Sequence, residues 1–326
     1  MRVVRLQSAG EFLALAGAFL LQHEAEHHLM LGVAGELARG PGPSEAPPYL
    51  AAVVKGDRVL AAALMTPPRN LLLSRFEAPD APELSAPDAP ELGALDAPAP
   101  AEPLALIADD LAGGGWAVPG VLAPSPLGRR FAELWQARTG IPFRPGMAQR
   151  IYALVRREGR PVRAPAGVPG RLRRATEEDR ELLVRWVTAF AAEALPQEPP
   201  DAARAQRLVD GYLQPGLQPE RRGMVLWEDG QPPRPVSMAA FTGPTPNGIR
   251  VQAVYTPPEL RRRGYASACV AALSQWLLDS GYRACFLFTD RSNATSNHIY
   301  QAIGYAPVCD ADEFRFGAAG AAAAGA

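Results

Sequence analysis

Apolar and polar positions in the second half of the chain follow a regular series of helix and strand patterns. An alternating run over 251–256 predicts a strand, and apolar residues at helical spacing then predict a helix that ends at Ser280-Gly281. Further runs predict strands at 172–175, 224–227, 236–241 and 284–289, and helices that begin after Thr176 and Asp201. The predicted order is strand, two helices, three antiparallel strands, helix, strand, helix and strand.

The first half of the chain repeats this order weakly. We expect one helix from Ser8 to about Leu37, with Ser8 and Glu11 as a capping box. A hairpin over 49–65 should turn at 55–58, and a strand is predicted at 147–155. Two further helices are predicted between these strands, the first over 104–111 and the second ending at Thr139-Gly140. The pattern therefore favours a duplicated fold.

The length and the polar segments set the domain boundaries. A chain of 326 residues is long enough for two domains of about 150 residues each. We expect domains at 1–160 and 171–316, joined by an Arg-, Pro- and Gly-rich linker at 161–170. Residues 77–103 are rich in Ala, Pro, Asp and Glu, and we expect a disordered loop there and a disordered tail at 317–326.

Charge and cysteine content limit the possible partners and compartments. The formal net charge of −1 gives no general indication of nucleic-acid binding, and no apolar run approaches the roughly 20 residues of a membrane span. The three cysteines lack metal-ligand spacing, and the N-terminal apolar run lacks a signal cleavage site. We expect a soluble cytoplasmic protein, and nothing in the sequence indicates its oligomeric state.

One short motif has the spacing of a zinc site. His23-Glu24-Ala25-Glu26-His27 matches His-Glu-x-x-His, in which two imidazoles one helical turn apart bind zinc and the glutamate acts as a base. A third ligand is also needed, and the only histidine outside this cluster, His298, lies in the C-terminal half. We therefore predict no metal and expect a solvated helix face, with a zinc hydrolase as the third functional hypothesis.

A loop between the strand and the helix described first has the composition of an anion site. After Pro257-Pro258, three arginines lead to Gly264, and the helix begins directly after this glycine. A helix start presents unpaired backbone N–H groups and the positive end of the helix dipole. A glycine lets a phosphate approach the backbone, and the arginines add charge.

At these residues the sequence resembles the GNAT superfamily of N-acetyltransferases. Arg261-Arg262-Arg263-Gly264-Tyr265-Ala266 is similar to the family's Gln/Arg-x-x-Gly-x-Gly/Ala loop, and Asn293 to Gly304 is similar to its second motif. The resemblance covers 171–316. It implies an α/β (α+β) fold with a mixed, mostly antiparallel central sheet flanked by helices, here duplicated, and an N-acetyltransferase that uses acetyl-CoA.

The resemblance also assigns the residues that hold acetyl-CoA. The oxyanion would face a backbone N–H on the strand edge, which we assign to Val254. The implied coenzyme-binding residues are Val254, Tyr255, Thr256, Arg261, Arg262, Arg263, Gly264, Tyr265, Ala266, Asn293 and Asn297.

A tyrosine on the last helix is the proposed general acid, because the family uses one there. Asn293, Asn297 and Tyr300 lie at i, i+4 and i+7, so we expect them on one polar face while Ile303 turns to the core. A phenol with a pKa near 10 is protonated at neutral pH. Glu193 is the candidate base or amine-binding group; Asp290 and a water-mediated route are the alternatives.

The predicted reaction is direct acetyl transfer to a primary amine, on a small molecule or a peptide, in a ternary complex. The alternative is a non-catalytic acyl-CoA-binding regulatory module. The first half has no matching loop between Pro67 and Leu104, and Gln136 stands where Tyr300 stands in the second half. We therefore expect one working site per chain.

Overall fold

The computed structural model describes residues 1–40, 46–77, 101–194, 201–214 and 220–317. Most of the predicted disordered loop at 77–103 lies outside these residues, and so does the predicted tail beyond Gly317. Those two predictions stay predictions. Over the described part of the chain, no helix combines the length and the apolar composition that crossing a membrane requires.

The chain forms two compact units that do not follow the order of the sequence. The first contains Met1–Tyr152, Phe288–Ala294 and the described residues from Pro307 onward, and the second contains Ala153–Leu287 and Thr295–Ala306. The two halves of the sequence nevertheless have the same element order, which is strand, two helices, three strands, helix, strand, helix and strand. The predicted duplication of elements is therefore confirmed, whereas this exchange of segments was not predicted.

The first half of the sequence forms six strands and four helices over its described residues. They are β1 (Arg2–Arg5), α1 (Ala9–Leu21), α2 (Glu24–Arg39), β2 (Tyr49–Lys55), β3 (Arg58–Met65), β4 (Leu71–Leu73), α3 (Ala101–Gly113), β5 (Gly120–Pro124), α4 (Leu127–Thr139) and β6 (Phe143–Val155). The hairpin predicted over 49–65 is confirmed. In the first unit β1 to β4 are antiparallel neighbours, and β5 pairs parallel with β4.

The predicted helix from Ser8 to Leu37 is wrong in one respect, because it is two helices. Ser8 caps α1 as expected, since its side chain accepts a hydrogen bond from the Glu11 N–H. The chain then leaves the helical conformation at His23, whose φ of −129° and ψ of 55° end the first helix. The Leu20 carbonyl accepts bonds from the His23 N–H and the His27 ring, which fixes this corner.

The second half of the sequence supplies most of the second unit and the last strand of the first. Its elements are β7 (Arg171–Arg174), α5 (Arg180–Ala194), α6 (Ala202–Leu213), β8 (Gly223–Asp229), β9 (Arg234–Thr242), β10 (Gly248–Tyr255), α7 (Tyr265–Asp279), β11 (Ala284–Asp290), α8 (Ala294–Ile303) and β12 (Ala306–Phe316). Within the second unit the strand order is β7-β8-β9-β10-β11, antiparallel except for β10 with β11. The predicted caps at Thr176 and Asp201 are both present.

The C-terminal strand β12 belongs to the first unit. It pairs antiparallel with β5, with Phe314 opposite Val121 and Ala311 opposite Pro124. Phe314 is 3% exposed and packs in the same core cluster as Phe131 and Trp135. The apolar face of β12 therefore stabilises the unit that is built from the start of the chain.

Candidate active site

Strand β10 leaves its neighbour β11 at a bulge, and this opens the sheet within the second unit. The two strands pair only from Gly248 to Arg250 over their described lengths. The pairing of β10 with β9 is interrupted between Gln252 and Tyr255, and Ala253 has a left-handed φ of 49°. A bulge of this kind bends a strand and leaves backbone groups outside the ladder. The half-buried Val254, predicted to supply the oxyanion N–H, lies at this point.

The arginine and glycine loop between β10 and α7 has the backbone of an anion site. Arg262 has a φ of 63° and Gly264 a φ of 80°, and Gly264 is the N-cap residue of α7 without a side-chain cap bond. Left-handed residues next to a helix start turn successive N–H groups toward one point. Arg261, Arg262 and Arg263 are all exposed. The predicted phosphate loop thus has the required N–H groups and charge.

Gly264 also contacts a residue that the sequence analysis did not single out. A Cβ atom at Gly264 would lie 2.6 Å from the Cγ2 atom of Val168, which comes from the linker between the two halves. The linker is held there because Trp227 Nε1 donates a 2.9 Å hydrogen bond to the Pro169 carbonyl. No local sequence pattern marks Val168, since the contact joins residues about a hundred positions apart.

The side chain and the backbone of Tyr265 have different positions. The side chain bonds to a neighbouring strand, and the backbone N–H lies at the start of α7. Its phenol donates a hydrogen bond to the carboxylate of Asp229, at the end of β8, and this bond raises the pKa of Tyr265. Its backbone N–H is the first of α7. The predicted role of Tyr265 in phosphate binding can therefore rest on the N–H group alone.

Arg261 brings the predicted base to the predicted coenzyme loop. One of its terminal nitrogens donates to both oxygens of Glu193, at 2.7 and 2.9 Å, and its Nε donates to the Thr256 carbonyl at 2.9 Å. The guanidinium carbon also lies 5.7 Å from the centre of the Tyr255 ring. The structure therefore brings together four predicted site residues from α5, β10 and the loop. The Glu193 carboxylate is 47% exposed, so it remains accessible to solvent.

Burial and the Glu193 charge act on Tyr255. They raise the pKa of its phenol, burial being the larger cause. The Tyr255 ring packs in the core cluster under α5 and α6, with the Trp186 ring 6.3 Å away. Tyr255 therefore fixes the end of β10 against the helix that carries Glu193.

Tyr300 lies on the buried face of α8, and not on the polar face predicted from the sequence. Its side chain is 8% exposed and shares that face with Ile303, whereas Asn297 is half-buried and Asn293 is exposed. Its ring lies edge-on to that of Tyr305, with centroids 5.9 Å apart. Burial raises the pKa of Tyr300 to about 12. The phenol is therefore protonated across the physiological range, and its role as an acid stays a prediction.

Asp290, the alternative base, has a local structural role. Its Oδ1 atom accepts hydrogen bonds from the Ser292 N–H and hydroxyl at 2.8 and 2.7 Å. Such bonds stabilise the turn that precedes α8. The role of either carboxylate as a base stays a prediction.

The buried cysteines are poor nucleophiles. Cys269 and Cys285 are each 0% exposed, and burial raises the pKa of both thiols to about 12. Because the thiolate is the reactive form, neither group is suited to carry an acetyl group. The route of acetyl transfer stays a prediction.

The histidine motif in the first unit has a structural role. His27 is 3% exposed, so the predicted solvated face is wrong. Its Nε2 accepts from the Arg75 N–H at 3.1 Å, which leaves Nδ1 as the donor to the Leu20 carbonyl at 2.9 Å. Both ring nitrogens are occupied, and among the described residues no three or more His, Cys, Asp or Glu side chains are grouped as metal ligands.

Comparison with known proteins supports the assignment of the second half. The sequence model of the acetyltransferase (GNAT) family matches residues 181–305. Among curated proteins, none matches the chain. The match contains Glu193, the loop at 261–266 and Tyr300, and it includes the predicted order of elements from α5 to α8.

Solved structures resemble the chain over nearly its whole length. A Drosophila protein has a TM-score of 0.61 at 14% identity, covering 96% of this chain and 98% of its own. A GCN5-related N-acetyltransferase from Sphaerobacter thermophilus has a TM-score of 0.56 at 16% identity, and the match covers 96% of this chain and 95% of its own. A tandem GNAT protein from the clavulanic acid biosynthesis pathway has a TM-score of 0.50 at 16% identity, and the match covers 98% of both chains.

At these identities the structures show a common fold and nothing about substrates. The fold is a mixed α/β arrangement with a mostly antiparallel sheet flanked by helices, as the resemblance implied. Residues 181–305 thus match the GNAT acetyltransferase family, and the chain shares the fold of a tandem GNAT protein.

Proposed function

We propose that the protein is an acetyl-CoA-dependent N-acetyltransferase that transfers the acetyl group to a primary amine by direct attack in a ternary complex. The observation that carries this proposal is the opening of β10 from β11 at the Ala253 bulge, next to the left-handed phosphate loop. The GNAT match supports acyl-CoA-dependent transfer in general. The coenzyme, the acceptor amine and the direct route are our inference.

Backbone groups bind and polarise the coenzyme in this scheme. The N–H groups of Gly264, Tyr265 and Ala266 bind the diphosphate, and the three loop arginines balance its charge. The strand edge at Val254 to Thr256 pairs with the pantetheine arm. In this scheme the Val254 N–H donates to the acetyl oxygen, on which negative charge develops. Acetyl-CoA supplies the activated thioester.

Two side chains donate and accept the protons of the reaction. Tyr300 donates a proton to the departing thiolate, which requires a phenol that is protonated at the working pH. Glu193 binds the amine or accepts its proton, at the end of α5 beside Tyr255. The ion pair with Arg261 holds the Glu193 carboxylate beside Tyr255, where an amine would approach in this scheme. Asn293 and Asn297 are the remaining proposed coenzyme contacts.

A test separates transfer from binding. Thiol release from acetyl-CoA is measured against amines, polyamines, aminoglycosides and peptide N-termini, together with coenzyme binding by calorimetry. Gly264→Glu should abolish binding, because it introduces bulk and a negative charge. Tyr300→Phe should bind normally but transfer at least tenfold more slowly. Unchanged transfer in Tyr300→Phe would remove its role as acid.

The alternative is a regulatory module that binds acyl-CoA without turnover. Two observations favour this alternative: Tyr300 is buried, and Glu193 forms an ion pair with Arg261. Tight binding of acetyl-CoA without thiol release, with any amine in the panel, would establish it. In either case we propose one coenzyme site per chain. We also propose a cytoplasmic protein, since its three cysteines are free thiols. An amine partner belongs to the transferase proposal alone.

A further inference from the structure

We propose that the acceptor amine also carries a carboxylate, and that Arg222 and Arg250 bind this carboxylate beside Tyr212. The inference rests on the proposed function, because it names the class of acceptor for the same site. It concerns the part of the sheet that precedes the Ala253 bulge, on the face covered by α5 and α6.

Strand register places the two arginines on either side of Thr242. Arg250 of β10 pairs with Thr242 of β9. Gly223, the first residue of β8, pairs with Phe241 of β9, so the preceding Arg222 reaches the level of Thr242. Neighbouring strands are about 4.8 Å apart, so the backbones of the two arginines are separated by roughly 10 Å.

The side chains in this row point to the same face of the sheet. Met224 and Ala240 pack in the core cluster under α5 and α6. Residues two positions apart on a strand share a face, so Thr242 and Arg222 lie on the α5 and α6 side. Arg250 lies there as well, since it is directly opposite Thr242. The two guanidinium groups thus approach one area.

Tyr212 of α6 connects the arginines to the reacting end of β10. The Arg222 guanidinium carbon lies 5.1 Å from the centre of the Tyr212 ring. The Gln252 side-chain amide donates to the Tyr212 hydroxyl, and Gln252 Oε1 accepts from Arg250 Nε at 3.0 Å. Gln252 immediately precedes the bulge. The polar chain therefore runs from the arginines to the place where transfer is proposed.

A carboxylate would satisfy a hydrogen-bond donor that is buried in this row. Arg222 Nε is buried and has no hydrogen-bond partner among the described residues. Leaving such a donor unpaired disfavours the folded state, and carboxylates form strong charge-assisted bonds to guanidinium groups. Glu220 lies close in sequence, but its charge acts on Arg174, whose guanidinium stacks on Phe241 and Trp276.

The distribution of charge along β10 matches an amino acid or a dipeptide. Glu193 lies beside Tyr255, after the bulge, and is suited to the ammonium group. Arg250 lies four residues before Val254, which is about 13 Å along a strand. Because the Arg250 side chain extends toward Gln252, the acceptor needs to cross only part of this length. A carboxylate several bonds from the reacting amine fits the site.

Matched pairs of acceptors test the proposal. Lysine is compared with lysinamide, and glycylglycine with its carboxamide, both for binding to the CoA-loaded protein by calorimetry and for acetyl transfer. The wild type should bind and acetylate the carboxylate form at least tenfold better. Arg250→Gln and Arg222→Gln should each reduce this preference to less than threefold, with unchanged CoA affinity as the check on folding. Arg250→Lys should recover part of it.

The control is Arg185→Gln, which removes an exposed arginine of α5 and should keep the full preference. Equal binding of acids and amides by the wild type would overturn the proposal, and so would a preference retained in both glutamine variants. If CoA binds but no amine is acetylated, the proposed function fails. The binding comparison then still tests the carboxylate site by itself.

Discussion

Gly264 meets two separate requirements of the proposed coenzyme loop. Its φ of 80° lies in the left-handed region, where a side chain costs about 1–2 kcal/mol. A Cβ atom would also lie 2.6 Å from Val168 Cγ2, closer than such atoms approach in folded proteins. The first cost depends on the backbone, and the second depends on one neighbour. Substitutions can therefore separate them.

We predict that Gly264→Ala lowers both the free energy of unfolding and the affinity for CoA, and that adding Val168→Ala restores only part of each loss. The neighbour is removed in the double variant, but the left-handed backbone remains, at about 1–2 kcal/mol. Urea unfolding and CoA calorimetry measure the two losses, with Val168→Ala alone as the control. Full recovery in the double variant would show that φ contributes nothing.

Burial of Tyr300 leads to a prediction about pH. A phenol with a pKa of about 12 is still about 99% protonated at pH 10. We therefore expect no loss of kcat from deprotonation of Tyr300 between pH 7 and 10, whereas an ordinary phenol would begin to titrate near 10. The measurement is kcat at saturating acceptor, with Tyr300→Phe in parallel. A basic limb below pH 10 that disappears in the phenylalanine variant would contradict this expectation.

At the scale of elements, the corner between α1 and α2 depends on neutral histidines. Burial lowers the pKa of His27 to about 4, and it lowers that of His23 to about 4 as well, with the Arg75 charge as a second cause. The unfolded chain has imidazoles near 6.5, so it binds more protons than the folded chain between pH 6.5 and about 4. Stability contributed by these groups is present above pH 6.5 and decreases as the pH falls.

We predict that the free energy of unfolding of the first unit decreases by up to about 1.4 kcal/mol per pH unit for each histidine below pH 6.5. Burial raises the pKa of Glu26, which opposes this trend at the acid end. Chemical unfolding at pH 7, 6 and 5 measures the slope. His27→Gln should make it shallower, and His298→Gln is the control, since His298 is exposed. Equal slopes in wild type and His27→Gln would contradict the prediction.

Elements with local signals could be predicted from the sequence. Thr176 and Asp201 cap their helices because the partner N–H lies three residues away, and the β2–β3 hairpin depends on a short turn. Contacts between distant residues could not be predicted. Val168 against Gly264 and the burial of Tyr300 depend on packing, and helical spacing alone does not determine which face is covered.

At the scale of the molecule, the exchange of β12 makes the stability of the first unit depend on the end of the sequence. Phe314 packs with Phe131 and Trp135, and β12 pairs with β5 over five residues from Ala311 to Arg315. No local pattern determines which strand pairs with β5. The predicted domain boundary at 161–170 therefore could not place β12 in the first unit. The pairing depends on strand register, which involves residues far apart in the sequence.

We therefore predict that Phe314→Ala destabilises the first unit by about 3–5 kcal/mol, as buried phenylalanine truncations do. Hydrogen exchange should show faster exchange in β5 and α4, while β8 and β9 of the second unit keep their protection. Leu277→Ala is the matched control, since Leu277 is fully buried in the second unit and should give the opposite pattern. If Phe314→Ala instead increased hydrogen exchange in β8 and β9 alone, β12 would stabilise the second unit and the prediction would be wrong. The coenzyme loop lies wholly within the second unit, so Phe314→Ala should also leave CoA affinity intact wherever that unit remains folded.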